Sequence, residues 1–131
     1  MSQENVEIVR TQYERLNRVG ELNQDDSAPD ATFDASRILG FGVYRGLDDF
    51  LGAWVSYRDT FDQWWIEVDE LLDGHRERVF AAVRDGGRMK SSGDEVRQRV
   101  FHVWELGEGK IVAWTVFLDR DQALEAAGLS E

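Results

Sequence analysis

The stretch "RVFHVWEL", residues 99–106, alternates between two sets of side chains along its length. Successive side chains of a β-strand point to opposite faces of the sheet. The alternation therefore predicts a strand in which His102 shares a face with Val100, Trp104 and Leu106, the face that we expect to be buried. An imidazole on such a face is either a packed core residue or a functional group of a pocket.

The composition indicates one globular domain spanning residues 1–131. Hydrophobic residues make up 42% of the chain, and a domain of this length buries a core without disulfides or metals. A single proline argues against a disordered chain. There is no cysteine, which excludes disulfides, thiolate metal sites and a cysteine nucleophile.

Charge and hydropathy restrict the partners. The formal net charge is −11, and because phosphate backbones and anionic membranes require a basic surface, we expect neither nucleic acid nor a membrane as partner. A small apolar molecule is favoured. No segment resembles a signal peptide or a membrane span, so we expect a cytoplasmic protein. With two histidines and no recurring ligand spacing, we expect no metal and no cofactor.

Helices are predicted from apolar residues spaced three and four apart. One apolar stripe runs along residues 5–20 and comprises Val6, Val9, Tyr13 and Leu16. Gly20 is the expected stop of this helix, and residues 47–59 show the same period. A short helix is predicted in residues 119–128, with Asp119 as N-cap and Gly128 just past its end. Residues 21–30, "ELNQDDSAPD", are expected to be weakly ordered.

The segments predicted as strands are residues 31–36, 40–46, 61–73, 78–90, 94–106 and 110–118. In the third of these, alternation places Trp64, Ile66, Val68 and Leu72 on one face. The pair Gly86–Gly87 suggests a bulge or bend in the fourth strand. The order of elements predicts an α+β fold, a cone-shaped α+β barrel in which a strongly curved, mixed or antiparallel sheet wraps around the N-terminal helices and leaves a central cavity.

Four stretches together resemble the SnoaL-like family of the nuclear transport factor 2-like superfamily. They are "ENVEIVRTQYERLNRVGEL" (4–22), "DASR" (34–37), "GVYRGLDDF" (42–50) and "HVWELGEGKIVAWTVFLDRDQALEAAGL" (102–129). The resemblance implies the cone fold and a homodimer formed through the convex face of the sheet. The superfamily includes ketosteroid isomerases, limonene epoxide hydrolases and polyketide cyclases, so the resemblance implies a fold more firmly than a reaction.

The resemblance also implies roles for single residues. Tyr13, seven residues before Gly20, matches an oxyanion-hole tyrosine of ketosteroid isomerases. The isomerase base position falls on Ala35, and the epoxide hydrolase aspartate position falls on Val116, so neither reaction is matched. An acid of the penultimate strand, used by isomerases and by SnoaL-type cyclases, falls on His102, whose imidazole can transfer protons near neutral pH.

Strand parity adds further candidates for the cavity. The aromatic and apolar candidates for ligand binding are Trp64, Phe80, Trp104, Trp114 and Leu118. Arg84 faces inward if the bulge lies beyond it, where it would anchor a carboxylate. Asp34 would act as a base only if a bulge turned it inward.

Each candidate also has a structural interpretation. His102 can be a core histidine satisfied by Tyr13 or by backbone, and Tyr13 can be a core aromatic residue. The Trp residues can be plain core, and Arg84 can form a salt bridge to an acid such as Asp34.

Three hypotheses about function follow. The first is an acid/base isomerase or cyclase in which His102 transfers a proton and Tyr13 polarises a carbonyl. The second is a non-catalytic module that binds a small apolar or cyclic ligand. The third is a structural dimer, for which Phe101 and Val103 on the other face of their strand need a partner surface. A loosely ordered segment 21–30 would leave the cavity mouth open.

Overall fold

The computed structural model describes residues 2–129. Within this range the helices are α1 (Ser2–Val19), α2 (Leu47–Arg58) and α3 (Arg120–Ala126), and the strands are β1 (Ser27–Asp34), β2 (Val43–Arg45), β3 (Phe61–Asp73), β4 (Arg78–Met89), β5 (Glu95–Gly107) and β6 (Lys110–Phe117). No helix in the described range is long and apolar enough to cross a membrane.

The strands form one mixed sheet in the order β2-β1-β6-β5-β4-β3. β1 runs parallel to β6, and the other neighbouring pairs are antiparallel. The sheet is open, with β2 and β3 as its edges. α1 packs against β3 and α2 against β1 on the inner face, whereas α3 packs against β5. The α+β cone predicted from the sequence is confirmed, as an open sheet.

The apolar stripe of α1 is buried as its period predicts. Val9 and Tyr13 are inaccessible or nearly so, and Gly20 ends the helix in a left-handed conformation with φ +82°. The Gly20 N–H donates to the carbonyl oxygens of Leu16 and Arg15, which satisfies two groups that a helix end leaves unpaired. The helix therefore ends as expected, although it begins at Ser2, three residues before the predicted segment, and it presents Tyr13 to the inner face.

Residues 21–30 are ordered, and the prediction that they are weakly ordered was wrong. They form a 3-10 turn (Gln24–Asp26) followed by the start of β1. The buried amide of Gln12 holds the turn, because its Nε2 donates to Asp26 over 2.9 Å and its Oε1 accepts from the Asn23 N–H over 3.2 Å. Leu22 fills the core beneath. A polar side chain on α1, rather than an apolar face in the segment, supplies the anchor.

The glycine pair in β4 marks close backbone approach and not a bulge. β4 pairs in continuous register with β5 through Gly86 and Gly87. A Cβ on Gly86 would lie 1.9 Å from the Val96 carbonyl oxygen, and one on Gly87 would lie 2.2 Å from the Gln63 carbonyl oxygen. Two neighbouring strands thus approach too closely for any larger residue.

The register shifts occur in β3 instead, and they change which residues face inward. One extra β3 residue lies between Phe61 and Trp64, and another between Val68 and Glu70. Beyond the second shift, Leu71 pairs with the inward-facing Ala81 and packs against the core. Val68 pairs with the buried Val83 and keeps the face of Trp64 and Ile66, although its side chain is 37% exposed. Leu72 pairs with the outward-facing Phe80, so the prediction that it shares this face was wrong.

A second apolar cluster covers the outer face of the sheet, which we define as the face that bears Phe80, Phe101 and Phe117. α3 packs on it through Ala123 and Ala127, both fully buried. Asp119 caps α3 by accepting from the backbone of Asp121 and Gln122. Phe101 and Val103 therefore find their partner surface within the same chain, which removes the argument that a second copy must cover them.

Candidate functional site

A cavity lies between α1, α2 and the inner face of the sheet, and about 80 Å³ of it is free space. Aromatic and aliphatic side chains form most of its wall. The aromatic residues of the wall include Phe41, Phe50, Trp54, Tyr57, Trp64 and Trp114. The polar groups of the wall include those of Tyr13, Tyr57, Asp85, Gln98 and His102. No lysine or arginine occurs among the described residues that line it.

His102 and Tyr13, predicted as the catalytic pair, meet in this wall. α1 places the Tyr13 hydroxyl 2.7 Å from His102 Nδ1, and Trp104 Nε1 donates to the same hydroxyl over 2.8 Å. The indole N–H can only donate, so the Tyr13 oxygen accepts from Trp104 and its own hydrogen is free to donate to Nδ1. All three groups are satisfied when Nδ1 is the acceptor, which leaves the imidazole hydrogen on Nε2.

Burial determines the charge of His102. The residue is 6% exposed, and burial lowers the pKa of His102 to about 3. Burial also raises the pKa of Tyr13 far above its ordinary value, although the Trp104 hydrogen bond opposes this effect. Both side chains are therefore neutral at pH 7. Among residues 2–129 no hydrogen bond reaches Nε2, so its N–H is available to a molecule in the cavity.

Asp85 is a functional candidate that the sequence analysis missed. It lies on β4 directly before the glycine pair, on the same face as Val79, Ala81 and Val83, and it is only 7% exposed. Burial raises the pKa of Asp85 to about 6, against the influence of the neighbouring Gln98 and Trp64 side chains. The signal that could have revealed it is parity: an acid that alternates in register with three small apolar residues faces the core.

Several polar atoms of this wall lack partners within the described residues. Asp85 Oδ1 and the indole Nε1 atoms of Trp64 and Trp114 are buried without a hydrogen bond. Nearby, Gln98 Nε2 donates to the Tyr57 hydroxyl over 3.3 Å. A buried polar group without a partner costs about 1–3 kcal/mol. A molecule that pairs with these atoms would recover part of that free energy.

The register of β4 corrects two predicted cavity residues. Ala81, not Phe80, pairs with His102 and shares its face, so Phe80 points to the outer face. Arg84 points outward as well, and its guanidinium contacts Asp69 at 2.9 Å and Glu67 at 3.3 Å. The alternative of a salt bridge was right in kind, although the partner is not Asp34.

Leu118 and Asp34 also lie outside the cavity wall. β6 ends at Phe117, so Leu118 falls in the bend before α3 and is 56% exposed. Asp34 accepts from the hydroxyl of Ser36 over 2.6 Å and from its N–H over 3.0 Å. The Ser36 hydroxyl hydrogen bond is the main cause that lowers the pKa of Asp34, which keeps this carboxylate ionised and paired.

The structure thus brings Tyr13, His102, Trp64, Trp104 and Trp114 together in one wall. Their roles toward a ligand stay predictions. Across residues 2–129 no group of three or more histidine or acidic side chains is arranged to hold a metal ion.

Comparisons with known proteins show the fold. No protein-family model matches the sequence, and no curated protein matches it. Among solved structures, a nuclear transport factor 2-like protein of Burkholderia thailandensis is 24% identical with a TM-score of 0.75, covering 94% of this chain and 95% of that one. A proposed SnoaL-like polyketide cyclase of Jannaschia is 15% identical with a TM-score of 0.72, covering 99% and 94%.

A protein of Catenulispora acidiphila with a ketosteroid isomerase-like fold is 13% identical with a TM-score of 0.71, covering 94% of this chain and 93% of that one. The chain has the nuclear transport factor 2-like fold that the resemblance implied.

Proposed function

We propose that the protein binds a small, mostly apolar molecule in the aromatic cavity and acts on it as an acid/base isomerase or cyclase. In this proposal His102 donates a hydrogen bond from Nε2 to an acceptor oxygen of the molecule. The observation that carries the proposal is the chain of hydrogen bonds from Trp104 through Tyr13 to His102. This chain holds the neutral imidazole so that Nδ1 accepts from Tyr13 and Nε2 carries the hydrogen.

The proposed role of His102 differs from the proton transfer expected from the sequence. A base with a pKa of about 3 is a weak proton acceptor at pH 7. A neutral imidazole N–H, by contrast, can stabilise negative charge that develops on a carbonyl oxygen, and a site with few waters strengthens that interaction. Tyr13 then acts as a positioning residue, because it contacts His102 rather than the ligand oxygen.

The size and charge of the cavity favour a compact neutral ligand. Its free space of about 80 Å³ is smaller than the ~150 Å³ cavity that admits benzene. The walls therefore suit a molecule of roughly the size of a small ketone rather than a polycyclic one. Since no lysine or arginine of the described residues faces the cavity, a carboxylate ligand would lack a counter-ion.

The experiment is an NMR titration with 2-butanone and with 2-methyl-1-butene, which replaces the carbonyl oxygen by a methylene group. We expect chemical-shift changes at His102 and Trp114 with the ketone and weaker binding of the alkene. His102→Phe should remove the preference for the ketone, whereas Phe80→Leu on the outer face should retain it. Equal binding of the two molecules by the wild-type protein would contradict the proposal.

A non-catalytic binding module is the second candidate. It is favoured by the absence of a carboxylate at Ala35 and Val116, where the resemblance places catalytic acids. Binding of the ketone without any chemical change would identify this function.

Homodimerisation is a separate proposal. Because α3 covers Phe101 and Val103, a dimer contact on the outer face would use its polar part, where Arg84 pairs with Asp69 and Glu67. The molar mass in solution tests it, since one chain has a mass of 15.1 kDa.

A further inference from the structure

We propose that Asp85 is the proton acceptor of this cavity, taking a proton from a carbon atom of a small ketone whose oxygen is bound by His102. The inference rests on the proposed function. It assigns to Asp85 the removal of the proton, a step that the neutral imidazole of His102 performs poorly. It also names the ligand class: a carbonyl compound with a removable C–H.

Asp85 and His102 lie at different points of one face of the sheet. Asp85 pairs with Gln98 on β5, and His102 follows four residues later on the same strand. At about 3.3 Å per residue, this separates the two backbone positions by roughly 13 Å along the strand. Both side chains line the same cavity, so one bound molecule can contact both.

The carboxyl group has an oxygen to spare for a ligand. Oδ1 is buried and has no hydrogen-bond partner among the described residues, and the residue as a whole is more than nine-tenths buried. Buried carboxylates are normally paired, because removal from water is costly without compensation. An unpaired oxygen on a cavity wall is the arrangement that a general base requires before its substrate arrives.

The surroundings of Asp85 suit proton transfer near neutral pH. The other titratable side chains of the cavity wall are Tyr57 from α2, Tyr13 from α1 and His102 from β5, and the pKa values of all three keep them neutral. No cation therefore holds the carboxylate in its ionised form. Burial raises the pKa of Asp85 to about 6, which makes it a stronger proton acceptor than an exposed aspartate while it stays mostly ionised at pH 7.

The step is balanced without a further reagent. Asp85 takes the proton from the carbon next to the carbonyl, and the electron pair of that C–H bond forms a C=C bond to the carbonyl carbon. The C=O electron pair moves to the oxygen, where the His102 N–H stabilises the negative charge. When the proton on Asp85 is replaced by a deuteron from solvent and the deuteron is delivered to the same carbon, the result is exchange. In a β,γ-unsaturated ketone, delivery of the proton to the γ-carbon gives isomerisation.

The test is the exchange of the carbon-bound hydrogens of 2-butanone in D₂O, followed by proton NMR. We expect the wild-type protein to accelerate exchange and Asp85→Asn to lose at least 100-fold of that acceleration. Asp34→Asn, which changes a carboxylate outside the cavity, is the matched control and should exchange at the wild-type rate. Ketone binding by each variant is measured separately by the titration described above.

Folding and pH dependence provide independent readouts. Asp85→Asn removes a buried charge and should leave the tryptophan fluorescence and cooperative unfolding intact. Asp85→Glu keeps the carboxylate and should retain part of the exchange. In the wild-type protein the exchange rate should rise with pH through about 6, as Asp85 loses its proton.

The outcomes separate this inference from the proposed function. Exchange by Asp85→Asn at the wild-type rate, or a wild-type protein that binds the ketone without accelerating exchange, would overturn the role of Asp85. Failure of the wild-type protein to bind 2-butanone would contradict the proposed function and remove this inference with it. Tighter, Asp85-dependent binding of tetramethylammonium than of 2-butanone would also overturn it, because the carboxylate would then serve as a counter-ion.

Discussion

Replacement of Tyr13 by phenylalanine is expected to destabilise the fold and to change the imidazole at the same time. The substitution removes one oxygen atom and keeps the ring. In the wild-type protein the Tyr13 hydroxyl lies 2.8 Å from Trp104 Nε1 and 2.7 Å from His102 Nδ1. Loss of the hydroxyl leaves both nitrogen atoms buried without partners. Each such atom costs about 1–3 kcal/mol, and a total of about 3 kcal/mol is a reasonable expectation. For a domain of this length, that corresponds to a melting temperature lower by about 10 °C.

Urea unfolding followed by tryptophan fluorescence measures the loss of stability. A second readout is the pair of ¹⁵N chemical shifts of His102, which distinguish a hydrogen on Nε2 from one on Nδ1. We expect the wild-type protein to carry it on Nε2 and Tyr13→Phe to lose that strict preference. Tyr44→Phe is the matched control, because its half-buried hydroxyl accepts only from the Gly42 N–H over 3.1 Å. A loss below about 1 kcal/mol, with unchanged ¹⁵N shifts, would refute the argument that this hydroxyl satisfies both neighbours.

Three further predictions follow from burial and backbone geometry. Because burial lowers the pKa of His102 from 6.5 to about 3, the unfolded chain binds a proton between these pH values that the folded chain excludes. Stability should therefore fall by about 3 kcal/mol between pH 8 and pH 4 relative to His102→Gln, measured by urea unfolding. Gly86→Ala should prevent normal folding, because its Cβ would lie 1.9 Å from a carbonyl oxygen. Gly52→Ala has open space around its Cβ within α2 and should stabilise the protein by about 0.5–1 kcal/mol. Thermal melts followed by circular dichroism test both variants. Leu71→Ala should cost about 1 kcal/mol more than Leu72→Ala, and equal losses would argue against the second register shift in β3.

Features that depend on local periodicity were predictable from the sequence. The alternation of β5 placed His102 and Trp104 on the buried face, and the helical stripe of α1 did the same for Tyr13. That Tyr13 and His102 belong to one site followed from the resemblance, since they are 89 residues apart and no local pattern joins them. The fold could thus be predicted almost completely, and the polar chain in part.

Features that depend on register between strands were not predictable. Along β4 the apolar residues are divided between the two parities: Phe80 and Ala82 share theirs with three arginines, Arg84 among them, and Val79, Ala81 and Val83 share theirs with Asp85. Following Phe80 as the largest apolar residue turns Arg84 inward and Asp85 outward. Pairing with β5 decides it by placing Ala81 opposite His102. The most informative polar residue of the cavity, Asp85, was therefore missed.

The extra residue in β3 had no signal either. Nothing in the sequence distinguishes Leu71 from Leu72, and only the shift between Val68 and Glu70 turns the first of them inward. The order of residues 21–30 likewise depends on a distant side chain, Gln12, and on parallel pairing of β1 with β6. Long-range contacts of this kind override local composition.

The position of α3 has a consequence for how the protein is made. The strip of Phe80, Phe101 and Phe117 is complete once β6 has been synthesised, yet the helix that covers it follows in residues 120–126. Any chain that lacks residues 120–126 therefore leaves this aromatic strip uncovered. A stalled ribosome, or a nonsense codon near residue 119, would release a chain that has an almost complete sheet and an exposed apolar outer face. Such a chain is prone to aggregation and to degradation.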